Sequence, residues 1–143
     1  MDTCRSRGSF GAVDMGGSHA ELFLVLPGGA LGGMARYALS EWIGRRCGAF
    51  PYGTLVVNGS GAFAIGIAAA LPWWLLSPVH EAFAHGFLMH GFLGGYTTVS
   101  TFSLQTLYLM QHGASRSAFA NILLSGTLCI TAAFAGAALA RLI

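Results

Sequence analysis

Four long apolar stretches with almost no charge inside them decide what this chain can fold into. They cover residues 22–40, 53–76, 82–110 and 118–140, and Arg36 is the only formally charged residue they contain. A helix rises about 1.5 Å per residue, so roughly 20 apolar residues cross the hydrocarbon core of a bilayer. Each stretch is about that long or longer. Charged residues make up 8% of the chain, against about 25% in soluble domains. So few charges cannot cover a water-facing surface, and the expected solvent is lipid. The fold class that follows is an all-α membrane protein of four transmembrane helices. Nucleic-acid binding is excluded, because lysine is absent and the net charge is only +2.

Residues 1–20 are polar and glycine-rich, with none of the apolar character of a signal-peptide core. They read as a disordered N-terminal extension or a misassigned start, and residues 21–143 as the membrane domain. Cys4, Cys47 and Cys129 are odd in number and widely spaced, which suits neither a disulfide framework nor a zinc site. Four spans would place Arg5, Arg7 and Arg141 on one side and Arg36, Arg45, Arg46 and Arg116 on the other. Orientation in a membrane follows an excess of cationic residues on one side. Three against four is hardly an excess. Such a chain can insert both ways and pair with an inverted copy of itself, or settle one way by a narrow margin.

The third stretch is too long for one straight span, and Gly94-Gly95 sits in its middle. Length and glycines together predict a broken helix. Small residues recur four apart at Gly28/Gly32, Gly29/Gly33, Ala62/Gly66 and Gly91/Gly95, the spacing that lets helix backbones approach closely in lipid.

Polar groups in hydrocarbon are costly unless they find partners. Asn58 is either a helix–helix hydrogen bonder or a pore-lining donor. Thr97, Thr98, Ser100, Thr101 and Ser103 crowd the residues after the glycine pair. If helix resumes near Thr98, then Thr98, Thr101, Phe102 and Gln105 share one face. The bland alternative is that each hydroxyl bonds back to its own helix. In the fourth stretch Ser117, Asn121 and Ser125 form one stripe and Thr127 with Thr131 another. One could face a pore and the other a neighbouring helix. Glu21, Glu41 and Glu81 all lie at stretch ends, so no carboxylate is embedded as proton coupling would require. No nucleophile–base pair or metal-ligand cluster is evident, so an enzyme is not expected. Hydroxyls and amides without an acidic residue suit an anion, whose hydration shell donors can replace.

Three segments resemble the CrcB (Fluc) family of fluoride channels: Gly28 to Tyr37 (GGALGGMARY), Pro51 to Gly66 (PYGTLVVNGSGAFAIG) and Gly91 to Ser103 (GFLGGYTTVSTFS). The match in order and spacing covers nearly the whole chain after about Leu22. The resemblance implies a multi-pass protein of the plasma (cell inner) membrane that assembles as an antiparallel, dual-topology homodimer and passes fluoride ions passively. It implies that the broken third helices cross and hold a structural sodium ion by backbone carbonyls, here those of Gly94 and Thr97. Asn58 matches the family's pore asparagine and Arg36 its first-helix arginine. Phe102 matches the second phenylalanine of an aromatic box, Thr98 and Ser100 match hydroxyl positions, and Thr127 aligns with a pore hydroxyl. Val99 stands where the first box phenylalanine is usual, Gln105 where many members have Glu, and Phe119 where tyrosine is common. Two other readings stay open. A small four-helix multidrug or cation exporter would need a glutamate within the first span. A non-transporting membrane subunit would tolerate the loss of half the aromatic box.

Overall fold

The computed structural model describes residues 15–47, 50–71, 80 and 83–142, with side chains from residue 23 onward. Among these residues every regular element is helical. The helices are α1 (Met15–Gly44), α2 (Tyr52–Ala70), α3 (Ala84–Leu93), α4 (Gly94–Tyr96), α5 (Ser100–Gln111) and α6 (Ser115–Ala140). They make four passages, with α3, α4 and α5 following one another along the third stretch. Residues 1–14 lie outside the described residues. The N-terminal extension expected over 1–20 therefore meets the structure only at Met15–Ala20, which α1 includes. Helical hydrogen bonding runs past the point where the apolar stretch begins at residue 22, because backbone pairing does not depend on side-chain hydropathy.

α2 and α6 are each long and apolar enough to cross a bilayer. α1 carries Arg36 within its apolar part, and the third stretch is divided into shorter helices. α6 leaves most of its surface uncovered, with Phe134 74% and Ile130 60% exposed. Apolar surface on that scale requires lipid or another chain against it.

Packing follows the small residues. α2 lies along α6, and α1 lies along α3 and α4. A side chain on Gly66 would run into the Ala133 carbonyl, and one on Gly136 into that of Phe63. On the other pair, Gly28 and Gly32 abut the backbone at Phe87 and Phe92, while Gly95 abuts Gly29. Gly33, by contrast, has open space beside it. Backbone rather than side chains thus forms both seams, as expected where dispersion replaces the hydrophobic effect between helices.

Gly33 and Gly66 make a matched pair for test. Alanine gains about 1 kcal/mol of helix propensity at either position. At Gly66 it also forces two backbones apart, and overpacking costs about 1–3 kcal/mol. Gly66→Ala is expected to unfold at lower temperature than Gly33→Ala in detergent micelles. Equal thermal midpoints would show that the α2–α6 seam is not backbone-limited.

The wide turns of α3 are unusual. They are π-helical over Ala84–Leu93, whereas π turns are commonly single and often sit at functional positions. At the other end of this passage α5 closes on Gly113, whose φ of 74° is the left-handed geometry that glycine accepts without penalty. The amides of Gly113 and Ala114 return to the carbonyls of Met110 and Leu109 at 3.1 and 2.9 Å, and α6 begins directly after.

Candidate functional site

The chain leaves helical geometry at Thr97, whose φ and ψ are −80° and 152°. The helix resumes at Ser100. Such an interruption strips donors and acceptors from the backbone, and each must be accounted for. Asn58 on α2 supplies most of the answer. Its Nδ2 donates to the Thr98 carbonyl and its Oδ1 accepts from the Thr98 amide, both at 2.8 Å. An amide is the one uncharged side chain that offers a donor and an acceptor side by side. Asparagine here stands in for a stretch of backbone. One N–H of Nδ2 is uncommitted among the described residues.

Thr98 in turn opens α5. Its Oγ1 accepts from the Thr101 amide at 3.3 Å, as an N-cap hydroxyl does, and lies 3.0 Å from Ser100 Oγ and 3.3 Å from Thr101 Oγ1. Thr97 and Ser103 behave differently. Their hydroxyls donate back to the carbonyls of Leu93 and Val99, at 3.1 and 2.9 Å. The return of a hydroxyl to its own helix therefore holds for Thr97 and Ser103, while that of Thr98 bonds within the polar cluster instead.

The rearrangement also frees two carbonyls. In a continuous helix the Thr98 amide would bond Gly94 O and the Thr101 amide Thr97 O. Here those amides are taken by Asn58 Oδ1 and Thr98 Oγ1. Gly94 and Thr97 line one open cleft of about 460 Å³ together with Asn58, Ala62, Ile65, Thr98, Val99 and Cys129.

Of the residues singled out from sequence, Asn58, Thr98, Gly94 and Thr97 share this cleft, and Ser100 joins it through Thr98. Phe102 is half-buried on α5 and Arg36 half-buried on α1, and neither lines the cleft. Thr127 is exposed on α6, with its hydroxyl returned to Leu123 O at 2.7 Å. Val99, where an aromatic residue is usual in the resembled family, is 76% exposed at the rim.

A second polar group lies between α5 and α6. Asn121 Nδ2 donates to Thr106 Oγ1 at 2.9 Å, Thr106 donates to Phe102 O at 2.8 Å, and Ser125 Oγ stands 3.5 Å from Asn121 Oδ1. Asn121 is 2% exposed. Of the two α6 stripes, the one holding Asn121 and Ser125 is therefore the buried one, and Thr127 with Thr131 lies on the exposed side. Thr54 Oγ1 and Gln105 Oε1 are buried with no hydrogen-bond partner, and buried atoms of this kind are exceptional. Thr54 and Thr106 are lone hydroxyls in apolar stretches to which the sequence alone gives no role, and Cys129, whose spacing suits neither a disulfide nor a zinc site, lines the cleft.

Charged side chains interact with their neighbours at the end of α1. Arg45 pairs with Glu41 at 2.9 Å, and the Arg46 guanidinium stacks 4.0 Å above the Trp42 ring. Among the described side chains Glu41 is the only acidic residue.

Residues 23–137 match the family model described as CrcB-like protein, Camphor Resistance (CrcB). The fluoride-specific ion channel FluC 3 of Brucella suis biovar 1 is 52% identical over 114 residues, which is 79% of this chain and 86% of that protein. The fluoride-specific ion channel FluC of Magnetococcus marinus is 48% identical over 123 residues, covering 83% of this chain and 96% of the relative. That of Rhizobium meliloti is 45% identical over 121 residues, covering 84% and 95%.

Proposed function

This chain belongs to the CrcB-like family, and from that premise we propose that it is a fluoride-selective ion channel of the cell inner membrane, which lets fluoride leave the cytoplasm down its electrochemical gradient. It is a channel and not an enzyme. The observation that carries the reading is the helix interruption tied to Asn58 beside a cleft rich in neutral donors. A small hard anion must exchange its hydration shell for donors at short range, yet must be able to leave. Neutral N–H and O–H groups do this without the tight hold of a cationic lining. The uncommitted Asn58 N–H and the Thr98–Ser100 hydroxyl pair are the donors nearest the cleft, and no embedded carboxylate opposes them among the described residues.

The working form is a dual-topology antiparallel homodimer. The near-even arginine distribution and the uncovered apolar face of α6 support it. Phe102, Thr127 and Arg36 do not line the cleft of the single chain, and in the dimer they line the path completed by the second copy. Val99 leaves one wall of that path aliphatic. A structural sodium ion suits the two freed carbonyls. Gly94 and Thr97 would hold it, since carbonyl oxygens are hard ligands, and it would supply fixed positive charge between the two copies.

The test is a flux measurement. Liposomes carrying the purified protein and loaded with potassium fluoride are expected to release fluoride when valinomycin opens a potassium path, and to retain chloride under the same conditions. Chloride release at the fluoride rate, or no fluoride release, overturns the assignment. An exporter would instead show drug-stimulated proton movement in the same vesicles.

A further inference from the structure

We propose that Tyr96 is a positioning residue that, through Ser60, fastens the α4 side of the helix interruption to α2, as Asn58 fastens the α5 side. The two fastenings are in register. Asn58 holds Thr98. Two residues further along α2, Ser60 Oγ stands 2.9 Å from the hydroxyl of Tyr96, two residues back along the third passage. α2 and the interrupted segment therefore run antiparallel here, with Thr97 between the fastenings. Gly61 permits the close approach. A side chain there would collide with that of Thr97 and come within 3.2 Å of the Tyr96 ring.

Counting protons gives the bond its direction. Ser60 Oγ donates to the Val57 carbonyl at 3.0 Å. A serine hydroxyl has one proton, so Tyr96 is the donor to Ser60 Oγ. Both protons are then committed within the protein, and neither residue lines the cleft. The pair therefore holds structure and does not itself receive an ion. The Tyr96 ring lies nearly parallel to that of Phe92 one turn earlier, with centroids 6.0 Å apart and planes inclined by 8°, which sets the direction of the hydroxyl. Hydrocarbon offers a hydroxyl no replacement partner, so the bond persists at membrane depth.

The amide and the hydroxyl of Thr97 both return to Leu93 O, at 3.1 Å each, so Thr97 moves with α4. Thr98 is held by Asn58 instead, and the extended backbone of Thr97 is the joint between the two. Without the Tyr96 hydroxyl, α4 can pivot about that joint while Asn58 keeps Thr98. The freed carbonyls of Gly94 and Thr97 then shift against the Asn58 N–H and the Thr98 hydroxyl across the cleft. The consequence for conduction rests on the channel reading above, whereas the fastening itself does not.

The test uses the full-length protein reconstituted in lipid. Tyr96→Phe keeps the ring and removes the hydroxyl, Ser60→Ala removes its acceptor, and Ser60→Thr retains one. Amide exchange at Thr97 and Thr98 reads the fastening. Fluoride current through single channels in a planar bilayer reads conduction, because a folding defect lowers the number of channels and not the current through each. Exchange at both amides is expected to quicken about three- to fifteenfold in Tyr96→Phe and in Ser60→Ala, the factor that hydrogen bonds between helices in lipid carry. The single-channel current should fall at least about twofold in both, since displaced donors replace the hydration shell less well. The Tyr96→Phe/Ser60→Ala double variant should be no worse than either single one. Ser60→Thr, and Tyr108→Phe on α5, should match the native protein in both readouts. Unchanged exchange in Tyr96→Phe, or additive effects of the two substitutions, overturns the fastening. Quickened exchange with a native single-channel current overturns its part in conduction. A native protein that passes no fluoride current sinks the channel reading, and amide exchange still decides the fastening.

Discussion

Asn58→Leu is expected to abolish fluoride release while leaving the α2–α6 seam intact. Leucine has the same branched outline and the same number of side-chain heavy atoms as asparagine, so the space beside Thr98 stays filled. The amide and carbonyl of Thr98 lose both of their partners, which now sit at 2.8 Å. An orphaned buried group costs about 1–3 kcal/mol, so the pair costs about 2–6 kcal/mol. A penalty of that size is enough to make the interruption rearrange rather than persist. The Thr98 amide can regain its helical partner, Gly94 O, by winding α4 onward, which closes the cleft and re-occupies one of the carbonyls the interruption frees. Asn58→Asp separates geometry from chemistry. It keeps an acceptor for the Thr98 amide but turns a second oxygen toward the Thr98 carbonyl, and it buries a negative charge in an anion path. Both variants should lose fluoride release in the liposome assay by at least about tenfold, and amide exchange at Thr98 should quicken in the leucine variant. If Asn58→Leu releases fluoride at the native rate with Thr98 still protected, Asn58 is not what holds the interruption.

The asparagine was conspicuous in the sequence because a primary amide inside an apolar stretch demands a partner. Its partner was not. Thr98 lies 40 residues away, and no spacing rule links residues on two different helices, so tertiary register alone decides the pairing. The small residues of the two seams were readable for the opposite reason, since repeats of four describe one helix by itself. Gly33 marks the edge of that rule. It fits the spacing and yet faces open space, because a helix shows the repeat on more sides than it packs.

The π turns of α3 left no trace in composition. An α and a π turn draw on the same residue types and differ in which carbonyl each amide chooses. At α3 that choice is made in close contact with α1, where Gly28 and Gly91 bring the two backbones together. Thr106 shows a further limit. A lone threonine in an apolar helix usually returns its proton to its own backbone, and this one does, to Phe102 O. Its lone pairs remain available, and the Asn121 amide uses one. Sequence can identify the donor's obligation but not the acceptor's opportunity.

Asn121 is where the largest loss of stability is expected. It is 2% exposed, and its amide joins α5 to α6 across a turn of a few residues. Asn121→Ala removes the hydrogen bond to Thr106, takes the partner from Ser125, and leaves a cavity that buried neighbours fill only in part. Cavity formation and lost hydrogen bonding together should cost about 2–4 kcal/mol. Asn121→Leu refills the space and should recover part of that, though no hydrogen bond is restored. A double-mutant cycle assigns the remainder. If the Asn121–Thr106 bond carries the coupling, Thr106→Val should destabilise the native protein but have a smaller effect in the Asn121→Leu background. The interaction energy expected is about 0.6–1.7 kcal/mol, the range found for hydrogen bonds between helices in lipid. The reason for a value no larger is physical, since an unfolded helix in a membrane also finds partners for its polar side chains. Additive effects of the two substitutions on unfolding in detergent would mean that Asn121 stabilises the α5–α6 junction by packing and not through its bond to Thr106.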